Sequence, residues 1–463
     1  MPRHTGWSIL VLAAFAGTAS AQALDENVVH IDQIGADNSA VIDQSGVRNQ
    51  AGRQDDPLWQ DGFWNDLQIR QNGNRNTIGT EGTGLYQQGR FTTETVHNRI
   101  VIDQFSDDNV IGTVEQLSEG AVPNGANDMT LVQSGGDRNR INIARQVQET
   151  GDASQEMILR QTGADNVIDL ASQTANSSVD DKPNIMRVRM SGSFNGRDRL
   201  SGAAAIPLLR DSAFVQEGGA ADPRANGNFM DVEIAGNDTA IGIRQGGRDN
   251  SVGFITINGN GNDLGIRQDG DQNDVVLSVV EGDGNAIGID QLQTNLATVS
   301  LIGDSSDNAL LVQQQGTNDA FLTLEGDRNN VSAVQDFRNG LGGENTLSVA
   351  IEGDDNQLVT DQRGSNTATI GIEGNRNNTR RLIVPGAVQA SAGLVEQLGF
   401  DNAADISVLG DDNVFAVLQD GFGNLVSLLQ DGDENDAIIF QGGSGNDARV
   451  RQVGAMNFAF VRQ

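Results

Sequence analysis

The chain has 463 residues, no cysteine, 57 glycines and a formal net charge of -33, with aromatic residues at only 4%. Such acidity disfavours a nucleic-acid partner or an anionic membrane surface, because both select basic proteins. Scarce aromatics and abundant glycine argue against a thick globular core and towards a thin, turn-rich repeat.

Residues 1–23, "MPRHTGWSILVLAAFAGTASAQA", carry Arg3 and His4, then an apolar run from Trp7 to Ala16, then small residues. Ala19-Ser20-Ala21 and Ala21-Gln22-Ala23 both fit a cleavage signal, so a signal peptide and export are expected. No later stretch has the ~18 unbroken apolar residues of a membrane span, so no membrane insertion is expected.

From residue 24 a unit Q-x-G-x-x-N recurs, beginning at Gln33, Gln44, Gln71 and Gln161. The region 24–178 reads as irregular repeats, with insertions near "AGRQDDPLWQDGFW" and "EGAVPNGAND". Trp59 and Trp64, in the first of these, are expected to pack over the first coil as a cap. Region 179–230 holds three of the seven prolines, Pro183, Pro207 and Pro223, and no clean unit. It reads as a linker, an excursion or divergent coils.

Region 231–463 is the most regular. Gln245, Gln268, Gln291, Gln313 and Gln335 are spaced 23, 23, 22 and 22. A sister series with an aliphatic residue in place of Gln, including Ile257, Val280, Leu324, Ile351, Ile372 and Val408, interleaves with them. The steps from Gln335 to Gln362 and from Leu324 to Ile351 are both 27, and both span "FRNGLGGEN". One insertion that displaces both series means a coil of 22–23 residues built from two half-coils. "RLIVPGAVQASAGLVEQ" (381–397) interrupts the pattern as a loop or bulged coil.

Within a half-coil, Asn424, Val426, Leu428 and Gln430 share one parity, and so belong to one face of a short strand. Asp447, Arg449 and Arg451 take the other parity and should face solvent. Helix is disfavoured, because no i, i+3, i+4 stripe persists and Gly and Asn recur in every half-coil. The fold class expected is all-β, a parallel β-solenoid of ~22-residue, two-strand coils.

Amides at one height should then form ladders, and the residues assigned to them are Gln397, Asn402, Gln419, Asn424, Gln430, Asn435, Gln441, Asn446, Gln452, Asn457 and Gln463. The turns are assigned to Gly399, Gly410, Gly421, Gly432, Gly443 and Gly454, which can take positive φ. The final "MNFAFVRQ" puts Val461 and Gln463 at ladder positions with no polar segment after them, so the last coil reads as an open template.

At its Gln, Gly and Asn positions the chain resembles curlin, the repeat subunit of bacterial curli fibres, whose units read approximately S-x5-Q-x-G-x-x-N-x-A-x3-Q. "QDGDENDAIIFQ" (430–441) and "QGGSGNDARVRQ" (441–452) match the Q-x-G-x-x-N-x-A-x3-Q part in full, and "QSGVRNQAGRQ" (44–54) matches its first half. The resemblance implies a stacked strand-turn-strand solenoid in a long multi-repeat relative. It implies assembly into extracellular amyloid that supports biofilm and adhesion. It also implies self or related curlin-like subunits as partners, and an outer-membrane secretion pore for export.

Two rivals differ in class. "GGSGND" (442–447) fits the GGxGxD start of a calcium-binding β-roll once, and the "GDDN" and "GDGN" turns add carboxylates that suit Ca²⁺. The alternative is thus a calcium-stabilised monomeric rod at the cell surface, and Ca²⁺ is the single cofactor considered. An enzyme is disfavoured: the histidines are His4, His30 and His97, Tyr86 is the one tyrosine, Lys182 the one lysine, and no metal, P-loop or nucleophile motif is present. No catalytic, cofactor-binding or metal residue is assigned.

Overall fold

The computed structural model describes residues 26–79, 84–89, 98–118, 127–148, 155–175, 183–218, 227–301, 305–336, 344–382 and 390–463. The signal-peptide reading of residues 1–23 lies outside them, as does the "FRNGLGGEN" insertion apart from its last two residues.

The described residues form strands joined by tight turns, with one short 3-10 segment, Gly202–Ala204, and no α-helix. The fold is a parallel β-solenoid. The reason is visible in a single strand. In Leu425–Asp431 the buried side chains are Val426, Leu428 and Gln430, while Ser427 and Leu429 lie on the outer face. This strand pairs in parallel with Asp447–Val453, placing Val426 beside Ala448, Leu428 beside Val450 and Gln430 beside Gln452. Alternation therefore fills a narrow interior with aliphatic residues and amides, and parallel stacking at ~4.8 Å puts like on like. Asp447, Arg449 and Arg451 are exposed.

The chain divides into two compact units: Met1–Arg199 with Arg210–Asp238 and Arg244–Asp249, and Leu200–Leu209 with Thr239–Ile243 and Asn250–Gln463. In the first unit, strands Ser39–Ser45, Asn65–Asn72, Asn98–Phe105, Asn127–Ser134 and Gln155–Thr162 stack in register, so Gln44, Gln71, Gln104, Gln133 and Gln161 form one column. Above Gln161 the column continues with Met190 and Ile234. Part of region 179–230 thus forms coils, through Ile185–Ser191 and Ala213–Gly218. A second column holds Gln33, Gln60 and Gln87.

In the second unit one column runs Gln268, Gln291, Gln314, Gln335, Gln362, Gln397, Gln419, Gln441. The other runs Leu324, Ile351, Ile372, Val408, Gln430, Gln452. The ladder position is therefore Gln314 and not Gln313. The cause is parity: Leu310 and Val312 are fully buried, which points Gln314 inward and Gln313 outward.

Two segments outside the strands lie on the second unit's outer face. Gly202–Ala204 lies against it, and a Cβ on Gly265 or Gly288 would meet the Ala204 or Ala203 carbonyl at 2.1 or 1.9 Å. Residues of the 381–397 interruption do the same: Leu382 packs with Val414, Ala416 and Ile438, with Ala390 and Ala392 alongside. This is why outward positions 414, 416 and 438 are apolar.

Trp59 is not a cap over the first coil. It lies on the lateral face, registered between Asp32 and Tyr86, because Leu58 and Gln60 take the interior. Trp64 sits in the following turn at φ 52°, with its ring 6.1 Å from that of Phe63.

Candidate functional site

Each buried Gln is held by backbone and by its neighbours in the column. Gln419 Nε2 donates to the carbonyl oxygens of Ala403 (3.0 Å) and Asn424 (2.9 Å), and to Gln441 Oε1 (3.0 Å). The same chain of donors runs from Gln397 to Gln419 (2.8 Å) and from Gln441 to Gln463 (2.8 Å). Gln430 donates to Gln452 at 3.0 Å in the other column. Glutamines eleven apart in sequence thus alternate between two columns, and those twenty-two apart touch.

The asparagines run the opposite way. Asn424 Nδ2 donates to Asn402 Oδ1 (3.0 Å), and Asn446 to Asn424 (2.9 Å), each towards the preceding coil. Asn435 donates to Asn413 (3.1 Å), and Asn457 to Asn435 (2.8 Å). The orientation is fixed by the main chain. The Asn424 backbone N–H needs an acceptor and finds Asn402 Oδ1 at 3.2 Å, while Asn424 Nδ2 reaches the Gly443 carbonyl at 3.2 Å. Gln columns therefore donate towards the C-terminal coil and Asn columns towards the N-terminal one. A buried amide left unpaired would cost ~1–3 kcal/mol, so these bonds hold a polar core together, with Gln430 Oε1 and Asn413 Nδ2 among the atoms left without a partner.

The turn glycines are required twice over. Gly399, Gly410, Gly421, Gly432, Gly443 and Gly454 have φ between 89° and 133°. A Cβ on Gly421 would also lie 1.8 Å from the Gly443 carbonyl oxygen, and one on Gly432 2.3 Å from that of Gly454. At Gly443 and Gly454 nothing lies within 4 Å.

The last described coil therefore presents an unfilled face. Asn446 and Asn457 turn their Nδ2 groups back to the carbonyls of Gly442 (2.9 Å) and Val453 (3.2 Å). Gln452 and Gln463 each donate to one carbonyl, Asp436 (2.9 Å) and Asp447 (3.0 Å). Phe458, Met456 and Val453 are exposed there. At the first described coil Gln33 and Gln44 donate to Gln60 (2.5 Å) and Gln71 (2.6 Å), which leaves their Oε1 atoms facing outward along the column.

Sequence reasoning missed a charge column in the turns. The residue before the ladder Asn adopts φ near 57° and alternates in charge from Arg75 through Asp108 and Arg138 to Asp165, and from Asp307 through Arg328, Asp355 and Arg376 to Asp412. Arg328 pairs with Asp355 (2.7 Å) and Arg376 with Asp412 (2.7 Å); in the first unit Arg75 pairs with Asp108 (2.6 Å) and Arg138 with Asp165 (2.6 Å). Hydrogen bonds from these guanidinium groups hold Asp108, Asp165, Asp355 and Asp412 below the ordinary carboxylate value. Their signal was available in "GNRN", "SDDN" and "GDRN", read down the coils and not along the chain.

One position earlier, Asp327, Asp354, Asp411 and Asp433 each accept a backbone N–H from the preceding coil, from Ser306 (2.8 Å), Asp327 (2.8 Å), Asn375 (2.8 Å) and Asp411 (2.9 Å). In "GGSGND" the Asp447 carboxylate pairs with Arg449 at 3.1 Å. Among the described residues no three His, Cys, Asp or Glu side chains are placed to share a metal ion, and no helix is long and apolar enough to cross a membrane.

The curlin associated repeat family model matches residues 421–454 and 432–463. No curated protein and no solved structure matches the chain. The two matches fall on the coils whose amide columns are described above, so these coils carry the curlin associated repeat.

Proposed function

We propose that the chain is a secreted structural protein that self-assembles by stacked β-strands into extracellular, amyloid-type fibres serving biofilm matrix and adhesion. The curlin repeat points to a structural rather than a catalytic protein, and to the cell exterior. In this reading the partners are further copies and related curlin-like subunits, and export uses residues 1–23 and an outer-membrane secretion pore. No cofactor is required.

The observation that carries the proposal is the polarity of the ladders at the two described edges. Gln463 and Gln452 present donors at an edge of the second unit, and Gln33 and Gln44 present acceptors at an edge of the first. A second copy laid head to tail continues both rows, with its strand-edge backbone groups pairing as they do between coils. The opposite arrangement, edge to like edge, sets donor against donor.

The test is thioflavin fluorescence with fibre diffraction on the chain lacking residues 1–23, with and without calcium. Fibres with a ~4.7 Å meridional reflection in chelator support the proposal. A monodisperse particle that folds only when calcium is added overturns it and favours the β-roll rod.

A further inference from the structure

The repeat needs nothing aromatic on its outer face, and the chain has three Trp and one Tyr. Even so, one of those tryptophans and the tyrosine lie side by side there. Trp59, on strand Leu58–Phe63, is registered against Tyr86, on strand Leu85–Gly89. Both point away from the core, because Leu58, Gln60, Leu85 and Gln87 fill it. They line a cleft of about 490 Å³ with Ile34, Asp56, Asp61 and Glu115.

The cleft is assembled by an insertion. The segment 52–57 arches between coils, closed by Arg53 N–H to Asp56 O (2.9 Å), and it brings the Asp56 carboxylate over Gly84. A Cβ on Gly84 would lie 2.8 Å from Asp56 Oδ1. Asp61 comes from the same strand as Trp59, two residues on, and so shares its outer face. Among the described residues lining the cleft there is no Lys or Arg. Glu115, in register with Tyr86, pairs with Arg145 at 3.4 Å, while Asp56 and Asp61 add two further carboxylates to the cleft.

We propose that this cleft binds an organic ammonium that carries a flat apolar ring face, specifically an amino sugar with a free amine. Aromatic faces attract a cation through the ring quadrupole and accept the C–H face of a pyranose, and flanking carboxylates pair with the ammonium. A phosphate or uronate ligand meets three carboxylates and is repelled. The net charge of -33 draws a cationic polymer towards the surface, and the cleft provides the stereochemistry that bulk charge lacks.

The experiment is calorimetric titration of the full chain at pH 6 with a glucosamine tetramer bearing free amines, and with its fully N-acetylated counterpart. The free-amine tetramer is expected to bind, and N-acetylation to weaken it at least roughly tenfold. Trp59→Ala and Asp61→Asn should each weaken binding by a similar factor, with far-UV dichroism unchanged because both side chains point outward. Asp433→Asn, an acid in the other unit, should leave binding as it is. Equal affinity for the acetylated tetramer would make the cleft a neutral-sugar platform and overturn the ammonium assignment. Undiminished binding by both Trp59→Ala and Asp61→Asn would place the ligand elsewhere and overturn the site.

Discussion

The side-chain amide of Gln419 donates to Gln441 Oε1 at 3.0 Å, although twenty-two residues of chain separate them. That bond converts a sequence period into a spatial one, and most of the chain's testable properties follow from it.

Gln441 sits between two partners in its column, accepting from Gln419 and donating to Gln463 at 2.8 Å. Gln441→Leu removes the bonds to Gln419 and to Gln463 Oε1, although Gln419 Nε2 keeps the Ala403 and Asn424 carbonyls, for an expected loss of about 1–3 kcal/mol. Gln430→Leu should cost less, since Gln430 Oε1 already lacks a donor above Val408. Chemical denaturation of the two variants measures the difference.

Gly421 and Gly454 separate folding from assembly. Gly421→Ala places a Cβ 1.8 Å from the Gly443 carbonyl oxygen and should destabilise the fold by more than about 3 kcal/mol. Gly454→Ala meets nothing within 4 Å, so it bears only the strain of φ 93°, about 1–2 kcal/mol. If copies stack head to tail, Gly454→Ala should nonetheless abolish fibre growth, because the next copy's backbone would occupy that space. Growth at the wild-type rate would count against the stacking geometry.

Asp165 reports on acid stability. Its carboxyl is held below the ordinary 3.8 chiefly by hydrogen bonds from Arg138, with Arg197 also close. The folded value lies below the unfolded one, so its contribution is complete above about pH 4 and is lost as pH falls through the folded value. Asp165→Asn should lower stability at pH 7 by at most about 1 kcal/mol and flatten the loss of Tm between pH 4 and pH 2. Thermal melts across that range check the sign.

The turn acids predict indifference to calcium. Asp327, Asp354, Asp411 and Asp433 are committed to backbone N–H groups, and Asp355 and Asp412 to arginines. Millimolar Ca²⁺ or chelator should shift Tm by no more than a degree or two. A shift of ten degrees would restore the β-roll.

Much of this architecture could be read from residues, and the misreadings have definite causes. Gln, Gly and Asn at fixed intervals announced coils because each occupies a position no other residue type fills as well. Gln313-Gln314-Gln315 offered three candidates for one rung, and only the inward parity of Leu310 and Val312 decides among them. Met190 and Ile234 continue a Gln column without its signature, since an aliphatic side chain fills the same interior without a hydrogen bond. The Arg–Asp turn pairs escaped because each bond joins residues 27 to 36 positions apart. Trp59 was misplaced because an apolar residue in an insertion reads as packing material, and sequence does not reveal which face a bent segment presents.

The excursions suggest how such a chain acquires new chemistry. The column passes from Gln335 to Gln362 and on to Gln397, through intervals of 27 and 35 residues, and the amides still meet at 2.9 and 2.8 Å. The coil that follows the added sequence returns on pitch, so neither neighbour has to be re-engineered. A coil stack is in this sense an indexed shelf: it accepts inserts of different lengths, and each insert inherits a fixed address on the surface.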